Sequence, residues 1–458
     1  MTFHVLLQHL NAIVWGPLTL CLLVGTGAYL TLRLKLIQIH RFPRALKLLF
    51  SAPSPKGQGD MSSFAALCTA LSATIGTGNI VGVATAIKLG GPGALFWMWL
   101  AAFFGMATKY AECMLAVKYR TTDNRGQIAG GPMYYIELGL GLPWLAKLFA
   151  LFGVGVAFLG IGTFAQVNAI SDALTIAFDI PTWVTAVCLT VLVALVTLGG
   201  VNRIASVAQK LVPTMALGYV FACIWILSRY WENILPAITQ VFDSAFAPAP
   251  AVGGFLGATV AQAIQVGIAR GVFSNESGLG SAPIAAACAK TDQCVEQGLV
   301  SMTGTFFDTI IICTMTGLVL IITGVWSGDS AGAAMTTAAF SVGGDALLGQ
   351  YVVTIALVCF AFTTILGWHY YGERCWYYLI GQRFGDKSLR LYQGLFIGLI
   401  ALGAFVKLDL IWLLADTVNG LMAIPNLIAI IGLRQVIITE TKAYFSAVRY
   451  SSMSQIAN

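Results

Sequence analysis

The stretch Ser72-Ala73-Thr74-Ile75-Gly76-Thr77-Gly78-Asn79-Ile80-Val81-Gly82 lies inside an apolar run long enough to cross a membrane. Glycines and small polar side chains stand where a plain spanning helix carries leucine. Helix-breaking sequence at membrane depth is tolerated where the freed backbone lines a cavity or meets a neighbouring helix. The stretch therefore predicts a broken helix built to hold something small and polar. A second interruption lies at Arg270-Gly271-Val272-Phe273-Ser274-Asn275-Glu276-Ser277-Gly278-Leu279-Gly280-Ser281-Ala282-Pro283. Paired breaks in two halves of a chain point to a transporter binding site.

Composition agrees with this reading. The chain of 458 residues is 58% hydrophobic and 10% charged, with mean hydropathy +0.83, well below the ~25% charge of soluble domains. It reads as a polytopic membrane protein embedded in a lipid bilayer. No basic block with interleaved aromatics marks a nucleic-acid partner. The ten cysteines form no CxxC pair and read as small buried hydrophobes. No basic n-region precedes the first apolar run, which is long enough to span.

Taken in order, the chain predicts a helix near residues 13–32 and then a basic amphipathic connector carrying Arg33, Lys35, Arg41, Arg44 and Lys47. A flexible lead-in at 51–60 precedes the interrupted helix over 63–87. A turn at Gly90-Gly91-Pro92-Gly93 opens a helix over 94–117, and glycine-rich amphipathic turns over 130–144 are expected to skim the surface. Further apolar runs centre on Phe158, Val191, Leu217, Ile264, Ile311, Ala356, Ile397 and Met422. That makes about eleven spans of roughly twenty residues. Threading them gathers Arg33–Lys47, Lys118–Arg125, Arg203–Lys210, Lys290, Arg383–Arg390, Arg434, Lys442 and Arg449 on one side, expected to be cytoplasmic. Lys88, Arg229 and Lys407 fall on the other. The N-terminus is then extracytoplasmic and the C-terminus cytoplasmic. The fold class is all-α, one N-terminal helix plus a 5+5 inverted repeat with broken first and sixth core helices. In residue terms, 1–60 is the extra helix and connector, 61–230 and 231–435 are the two repeats, and 436–458 is the tail.

Freed amides at a break, with the half-helix dipole behind them, hold a carboxylate. Thr77, Gly78 and Asn79 are positioned for that. Freed carbonyls of the other half-helix are ligands for a small hard cation. The alternative is helix packing by small residues, since Gly78 and Gly82 fit GxxxG. At the second break Glu276 and Arg270 are ionisable at depth and mark either a function or an internal ion pair, with Asp308 as a possible partner. Phe273 reads as a gate or as core. Thr363 and Thr364 either ligate a cation or bond back to their own helix. Gln166 reads as a ligand or an interhelical bond. The four histidines show no metal-ligand spacing, no GxSxG stands at a strand-to-helix turn and no Walker loop is present, so neither hydrolysis nor ATP-driven transport by this chain is expected.

Gly90-Gly91-Pro92-Gly93-Ala94-Leu95-Phe96-Trp97-Met98-Trp99-Leu100-Ala101-Ala102-Phe103-Phe104-Gly105 resembles the signature of the sodium:alanine symporter family, the alanine or glycine:cation symporters. Thr74 to Asn79 and Phe273 to Ser281 resemble that family's broken-helix segments. The resemblance covers nearly the whole chain. It implies a bacterial or archaeal inner-membrane carrier of the leucine-transporter-type fold that imports alanine or glycine with sodium. It further implies a carboxylate at the amides of Thr77 and Gly78 beside Gly76. Sodium would lie among the Ser72, Ile75 and Phe360 carbonyls and the Thr363 and Thr364 hydroxyls. Gln166, Phe273, Ser274 and Trp368 would surround the amino acid, with Thr74 and Asn79 nearby.

The expected activity is thus secondary active, sodium-coupled import of small neutral amino acids. No cofactor and no catalytic residue are expected, only sodium as coupling ion. Alternatives are a proton-coupled or exchanging carrier of the same fold and an amino-acid-gated channel or sensor.

Overall fold

The computed structural model describes residues 3–51, 57–248, 258–406 and 408–456. Lys407 and residues 52–56 of the lead-in lie outside the described residues. The fold is all-helical apart from a two-residue hairpin, Thr121–Thr122 against Ile128–Ala129, and one parallel bridge, Met61 to Ala289. Among the described residues, seven helices are long and apolar enough to cross a membrane, or eight if the bent pair Ser63–Thr74 and Gly78–Gly90 is one span. The runs expected near Val191, Ile264 and Ile397 are helical as well, but Thr182–Thr197, Val260–Asn275 and Asp386–Gly403 fall short of that test of length and hydropathy.

Side chains are distributed as a lipid solvent demands. Leu18, Leu195, Leu217, Phe221 and Ile355 are exposed on the outside, whereas Ser72, Thr77, Asn79, Glu276, Asp308 and Thr363 are fully buried. Polar groups collect inside because only there do they find partners. The Gly93–Lys118 helix is apolar nearly all round and is the most enclosed span. It packs along Val260–Asn275 and Cys294–Thr305 and so connects the two breaks.

The first break has a local cause. Ser62 caps Ser63–Thr74 by accepting from the Ala65 amide at 3.1 Å. Ile75 then turns extended, and the chain resumes as a π-helical turn over Gly78–Gly82 with a 54° bend. Gly76 is required there. A Cβ on it would stand 2.4 Å from Thr364 Oγ1, so only glycine lets the two segments meet. At the second break Val260–Asn275 stops at Glu276, a non-glycine residue with φ +55°. Gly278 and Gly280 follow at φ +88° and +84°, and Ala282–Ala286 restarts with proline in its first turn. A left-handed Glu276 stores about 1 kcal/mol of strain.

Two expectations need adjustment. The 130–144 segment does not skim the surface: Gly130 through Ile136 are buried, and exposure begins only near Leu138. The Tyr135 hydroxyl donates to Asn426, which draws the segment inward. Arg270 pairs with neither Glu276 nor Asp308. Its guanidinium grips Asp416 in a fork, at 3.1 and 2.7 Å.

Arg44 and Lys118 both meet the C-terminal helix Arg434–Ile456. Arg44 donates to the Tyr444 hydroxyl at 2.7 Å, Lys118 pairs with Glu440 at 2.7 Å, and Arg120 reaches the Thr291 carbonyl at 2.7 Å. Lys88 bonds the Gly328 carbonyl and Arg229 the Gly344 carbonyl on other segments.

Candidate functional site

The site is assembled where the two breaks pass each other. The Asn79 carboxamide closes the first break on itself, its Oδ1 accepting from the Gly76 amide at 2.9 Å. Its Nδ2 donates to Asp308 Oδ1 at 2.8 Å and to the Asp308 carbonyl at 3.2 Å. Asp308 Oδ2 accepts from the hydroxyls of Ser274 at 2.9 Å and Thr309 at 2.7 Å. Three donors thus converge on one buried carboxylate, the arrangement that makes an ionised acid tolerable away from water.

Thr77 begins the helix that follows the break. Its hydroxyl accepts from Gln166 Nε2 at 3.1 Å, and Gln166 Oε1 is buried with no partner among the described residues. The amides at a helix start have no partner within the helix. Gly78 passes so close to the second break that a Cβ there would lie 3.1 Å from Ser274 Cα and 3.5 Å from Phe273 Cδ1. Thr77, Gly78, Gln166, Phe273 and Ser274 therefore share one wall.

Behind that wall lies a cluster of oxygens. Thr364 Oγ1 is 3.5 Å from the Ile75 carbonyl and 3.0 Å from the Phe360 carbonyl. Thr363 Oγ1 lies 2.9 Å from the same Phe360 carbonyl. The threonines do bond back to their own helix, yet the Ile75 carbonyl joins them from another element. Ser72 stands one turn earlier against Gly367, where a Cβ would lie 2.9 Å from Ser72 Oγ. The Ser72 hydroxyl itself is turned to the Thr69 carbonyl at 2.8 Å. Carbonyl and hydroxyl oxygens gathered in this way suit a hard cation.

Other expected residues sit slightly apart. Trp368 is fully buried and donates from Nε1 to Glu276 Oε1 at 3.0 Å, so its polar edge serves the second break. Glu276 Oε2 also accepts from Ser281. Thr74 Oγ1 bonds its own helix, at 3.3 Å to the Leu71 carbonyl.

Both ends of the site are built. On one side a chamber of about 350 Å³ is lined by Asn11, Trp15, Gln265, Arg270, Phe273 and Asp416. Its floor is the Arg270–Asp416 pair, with the guanidinium 5.4 Å from the Phe273 ring centre. The Asp416 carbonyl accepts from Trp15 Nε1 at 2.8 Å, which ties the N-terminal helix to this floor. On the other side Arg120 donates to the carbonyls of Ala287 at 2.9 Å, Ala289 at 2.8 Å, Gln58 at 2.9 Å and Thr291 at 2.7 Å. One guanidinium so stitches the approach to the first break to the exit from the second. Partial burial pushes the Arg120 pKa down, with Cys288, Asp292 and Asp60 acting the other way; arginine stays charged throughout.

Sequence reasoning named Asp308 only as an ion-pair candidate and did not single out Lys109, Glu112, Arg120 or Asp416. Lys109 and Glu112 carried a usable signal, since ionisable residues inside a span are functional candidates by default.

The model of the sodium:alanine symporter family matches residues 1–457. An uncharacterized transporter of Haemophilus influenzae is 60% identical over 456 residues, covering 99% of each chain. The sodium/alanine symporter AgcS of Methanococcus maripaludis is 51% identical over 455 residues, covering 97% of this chain and 98% of its own. Among solved structures, MhsT in complex with L-phenylalanine aligns with TM-score 0.57 at 14% identity, over 85% of this chain and 99% of that one. That last likeness establishes the leucine-transporter-type fold.

Proposed function

The chain belongs to the sodium:alanine symporter family, and from that premise we propose that it imports alanine and glycine together with sodium by alternating access. As a family member it is a multi-pass membrane carrier for cation-coupled amino-acid transport, not an enzyme. The finer reading assigns one job to each side of the first break. The amino-acid carboxylate takes the amides of Thr77 and Gly78, beside the unpaired oxygen edge of Gln166. Sodium takes the carbonyls of Ser72, Ile75 and Phe360 and the hydroxyls of Thr363 and Thr364. Phe273 covers the amino acid and, with Trp368 behind it, restricts side-chain room. Ser274 and Asn79 fix the wall through Asp308, whose carboxylate offers negative charge toward the substrate ammonium. Thr74 shapes the same break from its other half.

The observation that carries this reading is the meeting of Thr364 Oγ1 with the Ile75 carbonyl at 3.5 Å, directly behind Thr77. A cation bound there orders Ile75 to Gly78 and so raises affinity for the amino acid. Linkage makes the effect reciprocal, and a coupling of 1–3 kcal/mol corresponds to about 5- to 150-fold. In this reading the chamber above Arg270 and Asp416 faces outside and Arg120 seals the cytoplasmic end. The 61–230 and 231–435 groups then rock against each other.

Uptake of labelled alanine into proteoliposomes tests the proposal. Accumulation against a gradient should require an inward sodium gradient, and glycine should compete better than leucine or phenylalanine. Uptake that follows a pH gradient without sodium would replace sodium with protons. Current without accumulation would replace the carrier with a channel.

A further inference from the structure

Lys109 is an ammonium buried to 3% exposure in the middle of the most enclosed span. Its Nζ has no hydrogen-bond partner among the described residues, and its one ion-pair contact is loose, 3.6 Å to Glu112 Oε1. Glu112 is itself held elsewhere, its Oε2 accepting from Asn426 Nδ2 at 2.9 Å. A lysine ammonium carries three donors, and leaving them unmet in a low-dielectric interior is costly. Something must hold it there.

The surroundings supply the answer. Lys109 borders a cavity of about 10 Å³, room for one water or a small ion. The cavity is also lined by Thr74, Asn275, Ala282 and Ser301. Thr74 ends the half-helix before the first break, and Asn275 ends the half-helix before the second. Both half-helices therefore turn their C-terminal, partially negative ends toward this spot. Glu112 adds a carboxylate 3.6 Å from the ammonium. Two negative helix ends, the Glu112 carboxylate and the polar side chains of Thr74, Asn275 and Ser301 describe a cation site. It is distinct from the oxygen cluster of Ile75, Phe360 and Thr364.

We propose that Lys109 is a tethered cation that permanently fills a cation site between the two half-helix ends, and so sets how many sodium ions accompany each amino acid. The ammonium is anchored at its Cα and cannot leave during the cycle. It therefore neutralises the helix ends without adding to the charge carried across the membrane. Removing it while Glu112 stays ionised leaves a small site of negative potential, bordered by the polar Thr74, Asn275 and Ser301 and by the apolar Leu67, Ala70 and Leu71, that a sodium ion from solution can enter.

This inference rests on sodium symport, and the test separates the two. Reversal-potential measurements in proteoliposomes give the number of sodium ions moved per alanine. Lys109→Gln should raise that number by one relative to the unmodified protein, with a steeper sodium dependence of uptake. Lys109→Gln combined with Glu112→Gln should return it to the original value, because the charge that attracts the extra ion is gone. An unchanged ratio in Lys109→Gln, or an equal rise in the double variant, would overturn the tethered-cation role. If Lys109→Gln is unstable, raising sodium concentration must restore its thermal stability more steeply than that of the parent; a sodium-independent loss also overturns the proposal. Alanine uptake by the unmodified protein that ignores sodium would instead remove the symport reading itself.

Discussion

Thr364 Oγ1 and the Ile75 carbonyl oxygen lie 3.5 Å apart although 289 residues separate them in sequence. Nothing in the local chemistry of either residue calls for the other. The contact exists because Gly76 lets the first break press against the Ala346–Trp376 helix. In the proposed mechanism, ion and substrate binding are joined through it.

If the Thr364 hydroxyl is an ion ligand, Thr364→Ala should raise the sodium concentration for half-maximal uptake at least ~10-fold, equivalent to about 1.4 kcal/mol. Thr364→Ser should stay near the parent. Sodium titrations of alanine uptake at saturating alanine would read this. An unchanged requirement removes Thr364 from the ion site.

Gly76→Ala places a Cβ 2.4 Å from Thr364 Oγ1. Overpacking of that kind costs about 1–3 kcal/mol. The damage should be largely relieved in Gly76→Ala/Thr364→Ala, because the offending oxygen is then absent. A thermal-unfolding double-mutant cycle measures the coupling. Additive losses would mean that the two segments do not touch.

Asp308 receives Asn79, Ser274 and Thr309 as donors. Asp308→Asn exchanges one acceptor for a donor and leaves a buried clash worth about 1–3 kcal/mol. Alanine affinity should drop about tenfold or more while the protein still inserts and stays monodisperse. Binding of labelled alanine to purified protein would show it. Unaltered affinity would confine Asp308 to a packing role.

Arg120 holds four carbonyls from both sides of the lower closure. The nearby Cys288 is buried, and its carbonyl accepts from the Asp60 amide at 2.9 Å. In a background without the other cysteines, Cys288 should resist a water-soluble maleimide in the parent and react at least ~10-fold faster in Arg120→Ala. Equal rates would show that Arg120 does not keep this end closed.

Much was legible in the chain because its causes are local. Hydropathy fixes which segments sit in lipid, since every unpaired backbone group there is costly. Glycine, asparagine and serine inside an apolar run announce a break for the same reason. Gly76, Gly78 and Asn79 could therefore be singled out from order alone, and so could Phe273 to Glu276.

Pairing was decided by tertiary structure. Arg270 takes Asp416 over the nearer-seeming Glu276 and Asp308 because Glu276 turns left-handed and faces Trp368 while Asp308 is consumed by three donors. Residues 130–136 are buried because Asn426, far along the chain, holds Tyr135. Lys109 becomes significant only once two half-helix ends are brought to it from different parts of the sequence. A sequence by itself determines which groups must be satisfied; only the folded bundle determines which partner satisfies each, because that depends on how distant segments approach in space.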